Sequence, residues 1–158
     1  MDSITASLLT LQWLKKLGGI AAIEKITQFT SCEFTVRHFL IEYPEKMLNQ
    51  MKDWANHSHA YVRRLASEGI RTRLPWAIAV PHLKKNPKPI FEILHILVKD
   101  ADPWVQKSVS NSLNDLSKDF PSETIDFTKK YYGGNIEINK LLKHASRTFL
   151  KSGNKEVL

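Results

Sequence analysis

Cysteine is almost missing from this chain of 158 residues: Cys32 stands alone. No internal disulfide can form, so packing must hold the fold, and a reducing cytoplasm is the simplest compartment, nucleoid-associated in a bacterium. Beside Glu33, with no histidine close by in sequence to activate it, Cys32 reads as a small buried hydrophobe. Long apolar runs are missing too. None approaches the ~20 residues of a membrane-spanning helix, and Met1-Asp2-Ser3-Ile4 lacks the basic start of a secretory signal. No period-2 alternation of apolar and polar residues occurs, which excludes a sheet protein. Gly18-Gly19 and Gly133-Gly134 are not followed by the Lys-Ser/Thr of a phosphate loop, and the six histidines lack metal-ligand spacing. No metal or cofactor is expected.

What remains is ordinary in bulk and uneven in charge. A chain this long suits one domain over residues 1–158 and buries about two-thirds of its unfolded surface. It is 42% hydrophobic and 25% charged, with 23 Lys and Arg against 16 Asp and Glu, a formal net charge of +7. That excess suits nucleic acid or another anionic surface.

Apolar residues recur at helical spacing throughout. Ile4–Leu17 predicts a helix stopped by Gly18-Gly19, and Ile20–Phe29 a second. Thr30-Ser31 reads as the cap of a helix from Cys32 to about Tyr43. Pro44 opens the next, with Met47, Leu48, Met51 and Trp54; Asn56-His57-Ser58 turns into a helix that runs toward Pro75. Leu74–Leu83 is a short piece between prolines, and Pro87 and Pro89 begin a strongly apolar helix. Asp102-Pro103 is a helix start. That helix carries Val105, Val109, Leu113 and Leu116 on one face, and Lys107, Asn111, Asp115 and Lys118 on another. Helices to about Tyr132 and over about Glu137–Lys151 complete an all-α chain.

The pattern repeats. Val62-Arg63-Arg64-Leu65 and Val105-Gln106-Lys107-Ser108 hold equivalent places about 43 residues apart, and Leu141-Leu142-Lys143-His144 follows about 36 later. Each time an apolar helix comes first and a basic-faced helix second. Such pairs are the signature of a HEAT or armadillo superhelix, an α-α solenoid whose second helices share one concave face. The array would gather the basic residues there, which favours nucleic acid as the partner. The Tyr61–Trp76 stretch sharpens this, with four arginines around one carboxylate, Glu68. A carboxylate cannot bind phosphate and needs another reason to be there.

At this point the chain resembles the DNA alkylation-repair glycosylases of the AlkC/AlkD type, most nearly the AlkC branch. The resemblance is carried by Ser31-Cys32-Glu33-Phe34-Thr35-Val36-Arg37-His38-Phe39, by Val62–Gly69 with Arg71 and Arg73-Leu74-Pro75-Trp76, by Ser108–Asp119, and by Lys143–Thr148 with Lys151 and Gly153. It implies HEAT-like repeats, a monomer acting on double-stranded DNA, and hydrolytic release of N-alkylated bases such as 3-methyladenine. Matching positions make Asp115, Glu33, Glu68 and Trp76 the catalytic candidates. Phosphate-contact candidates are Arg63, Arg64, Arg71, Arg73, Lys107, Lys118, Lys143 and Arg147. An N3- or N7-alkylated purine is already cationic, so its glycosidic bond needs no strong general acid. It needs negative charge beside a sugar turning oxocarbenium-like, and a carboxylate to orient water. An aromatic face also favours a cationic base, by roughly 0.5–2 kcal/mol.

Each residue has a plainer reading as well. Glu33 would favour a helix N-terminus and pair with Arg37, Glu68 with Arg64, Asp115 with Lys118, and Trp76 would be core. Gln106 stands where the family pattern expects a basic residue, Thr72 where it has proline, and Ser110 where it has a small apolar residue. The resemblance also implies that longer relatives carry N-terminal repeats not found here. The rival from another class is a non-catalytic HEAT module that binds DNA or an acidic protein partner.

Overall fold

A computed structural model describes residues 18–153, so the helix expected over Ile4–Leu17 lies outside the described residues. Those residues form ten helices and no strand: α1 (Ile20–Ile26), α2 (Glu33–Glu42), α3 (Pro44–Ala55), α4 (Ala60–Glu68), α5 (Pro81–Lys85), α6 (Lys88–Leu97), α7 (Pro103–Asp119), α8 (Pro121–Tyr131), α9 (Ile136–Ala145) and α10 (Arg147–Ser152). None of them is long and apolar enough to cross a membrane.

Proline sets several starts: Pro44, Pro81, Pro103 and Pro121 occupy first positions, where a missing N–H costs nothing. Asp102 caps α7 by accepting from the N–H groups of Trp104 and Val105 at 2.9 and 3.2 Å. His59 does the same for α4 through Tyr61 N–H, and Asn135 for α9 through Ile138 N–H. α3 packs on α4, α6 on α7, and α8 on α9; across pairs, α7 lies between α4 and α9. The basic-faced helices of the sequence repeat are thus neighbours in one layer, as an α-α solenoid requires. Val62 and Leu65 of α4 and Val105, Val109, Leu113 and Leu116 of α7 are fully buried. Each such side chain stabilises the fold by roughly 1.5–3 kcal/mol.

The structure corrects two helix boundaries and one helix cap. α4 stops at Glu68 and does not run on toward Pro75. Arg37 of α2, only 1% exposed, donates to the carbonyls of Gly69, Arg71 and Ile78 at 2.9, 2.9 and 2.6 Å. Those carbonyls are held in a loop by a side chain from outside the helix. Gly69 makes the close approach possible, because a Cβ there would lie 2.5 Å from Val36 Cγ1 and 2.8 Å from Met51 Cε. The helix expected over Glu137–Lys151 breaks at buried Ser146, where Thr148 turns onto α7 to reach the side chain of Asn114. Cys32, buried as expected, is the N-cap position of α2, but no side chain caps that helix. Ser31 Oγ instead accepts from Arg64.

Candidate active site and nucleic-acid interface

Glu68 and Asp115 come from the repeat helices α4 and α7 and meet through one cation. Arg71, just past the end of α4, donates from Nη1 to Glu68 Oε1 at 2.6 Å and from Nε to Asp115 Oδ2 at 2.8 Å. Both carboxylates are nearly buried, with residue exposures of 7% and 4%. Ser108 of α7 donates to the other oxygen of Glu68 at 2.6 Å and accepts in turn from Ser67 at 2.6 Å. Glu68 is thereby fixed at both oxygens, whereas Arg71 engages only Oδ2 of Asp115. Burial raises the Asp115 carboxyl above its ordinary range, with the Glu68 charge adding to it; the bond and charge of Arg71 pull the other way without cancelling the rise. Asp115 is therefore a stronger base than a solvated aspartate. Burial would lower Arg71, but its bonds to Asp115 and Glu68 prevail and raise it. Arg71 is a permanent positive charge between the two acids.

Glu33 begins α2 and lies in its first turn, as expected of an acid at a helix N-terminus. Its Oε2 is buried and has no hydrogen-bond partner among the described residues, an unsatisfied carboxylate oxygen at the start of α2. The donors of Arg37, its expected partner, go to backbone carbonyls instead. Burial lowers Arg37 to about 10, and the charge of Arg71 contributes to that. Trp76 is far from the core reading: it is 97% exposed and adopts a left-handed backbone, φ 58°. A bulky residue held there at a cost on the order of 1 kcal/mol, and turned fully outward, fits a side chain kept for contact with something else. It rides on the loop that Arg37 anchors at both ends. Thr72 and Arg73 clamp the same loop to Asp119 of α7, at 2.8 Å from Thr72 Oγ1 and 2.5 Å from Arg73 Nη2. Burial would raise Asp119, but these bonds prevail and hold it below the ordinary carboxylate range.

The expected phosphate contacts divide by partner. Arg63 grips Asp100 with two bonds, at 2.6 and 3.1 Å, and donates to the carbonyls of His57 and Ser58. Arg71 is buried between its two acids and Arg73 is paired with Asp119. All three meet carboxylates, pairings that counting charges along the sequence cannot foresee. Among the described residues, Arg64 bonds only a hydroxyl, Ser31 Oγ at 2.9 Å. Lys107, Lys118 and Lys143 are exposed. Arg147 meets His144 Nε2, and Nδ1 of the same ring lies 2.6 Å from Ser110 Oγ. Burial lowers His144, and the charges of Arg147 and Lys107 lower it further, placing these cations at one spot between α7 and α9.

Sequence reasoning missed the bridging place of Arg71, the Ser67–Ser108 support of Glu68, and Arg37 as the anchor of the Trp76 loop. None of the three left a signal: Ser67 and Ser108 lie 41 residues apart, out of step with the repeat offset of about 43.

The chain matches the family described as DNA alkylation repair enzyme over residues 10–151. It is 45% identical over 140 residues to the uncharacterized protein YhaZ of Bacillus subtilis (strain 168), a match covering 89% of this chain and 39% of YhaZ. Among solved structures it is similar to the alkylpurine DNA glycosylase AlkC of Pseudomonas fluorescens bound to DNA containing an abasic site analog, with a TM-score of 0.89 and 34% identity. That likeness covers 96% of this chain and 44% of the AlkC chain. The chain thus spans less than half the length of either protein.

Proposed function

The chain belongs to the DNA alkylation repair enzyme family, and from that premise we propose that it is an N-glycosylase that releases cationic N-alkylated bases, of the 3-methyladenine type, from duplex DNA. The observation that carries this reading is the buried Glu68–Arg71–Asp115 bridge among cationic helices. A phosphate-binding surface gains nothing from two buried carboxylates. A site for a cationic base and a sugar becoming cationic does.

Asp115 orients the attacking water and takes its proton, using the oxygen that Arg71 leaves free. Its burial strengthens both the base and the field it exerts on the sugar. Glu68, fixed by Arg71 and Ser108, adds negative charge. Glu33 adds its negative charge beside the cationic base, and the Trp76 ring meets the face of that base or the adjoining sugar. Arg64, Lys107, Lys118, Lys143 and Arg147 hold the DNA backbone. The leaving base is already charged, so the step needs neither metal nor cofactor. Acting on DNA, the protein works in the cytoplasm.

Incubation with DNA containing 3-methyladenine tests this, with free base measured by chromatography. Release in the presence of the protein supports the reading. Salt-sensitive DNA binding without release overturns it and leaves a non-catalytic DNA-binding module.

A further inference from the structure

A cavity of about 280 Å³ opens where the N-terminal ends of α2, α4 and α7 converge, lined by Phe29, Tyr61 and Trp104 together with Thr27, Ser31 and Arg64. The three rings are exposed to unusual degrees, 90% for Phe29, 57% for Trp104 and 44% for Tyr61. Solvent-facing aromatics gathered around one hole mark a binding site, since a soluble domain gains nothing by leaving them uncovered. Arg64 completes the lining. Of the arginines in the Tyr61–Trp76 stretch, it is the one whose bond goes to a hydroxyl, so its charge is not cancelled by an acid. One bond to Ser31 leaves most of its five donors for an anion.

Flat rings plus an uncancelled guanidinium are the chemistry that recognises a nucleotide taken out of a stack: the base lies on the aromatic faces and the phosphate meets the arginine. We propose that this cavity takes an unpaired nucleobase of bound DNA, stacked on Trp104 and Phe29, with its phosphate on Arg64. It rests on the DNA-binding reading above but is a separate subsite. Trp104 precedes Asp115 by eleven residues in one helix, about 16 Å along the axis, several times the roughly 3.4 Å between successive bases of a strand. The base held here is therefore not the one whose bond Asp115 would break. Its capture would hold open a duplex distorted around the lesion.

The test is equilibrium binding by fluorescence anisotropy to two undamaged duplexes, one fully paired and one with a single thymidine bulge. The expected result is about tenfold tighter binding of the bulge by the wild-type chain, equivalent to about 1.4 kcal/mol of stacking. Trp104→Ala and Phe29→Ala should each lose most of that preference and keep their affinity for the paired duplex, while Trp104→Phe should retain it. Both side chains are exposed, so folding is not at risk. Paired-duplex binding with no bulge preference, or a preference that survives both alanine variants, overturns this inference and leaves the DNA-binding reading intact. Binding to neither duplex overturns both.

Discussion

Replacing Arg71 with methionine keeps the unbranched stem of the side chain and removes the guanidinium that joins Glu68 to Asp115. Two bonds of 2.6 and 2.8 Å are lost, and two acids whose side chains are 9% and 6% exposed are left facing each other. Removing one partner of a buried ionic group costs about 3–5 kcal/mol, a large share of the roughly 5–15 kcal/mol that holds a domain together. The loss also has a pH signature. Burial already raises Asp115 in the native protein; without Arg71, burial and the Glu68 charge are opposed by the Lys118 charge alone and raise it further. A group whose folded pKa lies above its unfolded value makes the folded state bind protons more tightly, so stability rises as pH falls through that window. Urea unfolding at pH 7.5 and at pH 5 should therefore show a smaller deficit for the variant at pH 5. A deficit below about 1 kcal/mol, or one equal at the two pH values, would refute the view that Arg71 neutralises buried acids.

Trp76→Ala should leave urea stability within about 0.5 kcal/mol of wild type, because the ring is 97% exposed, and should slow base release by about tenfold, the worth of a cation–π contact. Loss of stability with full activity would return Trp76 to a structural role. Gly69→Ala forces a Cβ to within 2.5 Å of Val36 Cγ1 and should destabilise by about 1–3 kcal/mol in the same unfolding assay; no change would mean that α2 and α3 yield there without strain. Lys107→Ala should reduce the slope of log K against log salt by about one. Arg63→Ala should lower the melting temperature and leave that slope alone, since its charge is spent on Asp100; the reverse pattern would exchange their roles.

The repeat architecture was legible because it is written in local signals. Asp102-Pro103 announces the start of α7, and Val105, Val109, Leu113 and Leu116 announce its buried face, each within a turn or two of the next. The extent of α4 was not legible. Its stop at Glu68 depends on Arg37, more than thirty residues away, reaching the carbonyls of Gly69 and Arg71. The site was half-legible for the same reason. Types and order of residues pointed to Glu33, Glu68, Asp115 and Trp76, but the pairings that near sequence spacing offered, Glu68 with Arg64 and Asp115 with Lys118, are not the bonds made. Both acids go to Arg71, which bridges 44 residues of sequence to reach Asp115. The partners of the arginines were hidden likewise, because a sequence shows how many arginines there are but not which carboxylate each one meets.

The most direct measurement is single-turnover release of 3-methyladenine by wild-type protein and by Asp115→Asn, with the affinity of each for an unmodified duplex measured alongside. Asparagine keeps an oxygen for Arg71 Nε, so the fold and the cationic face should persist while the base and its charge are gone. The account predicts retained DNA affinity and release slower by about 10²–10³-fold. Undiminished release by a folded Asp115→Asn variant would contradict it.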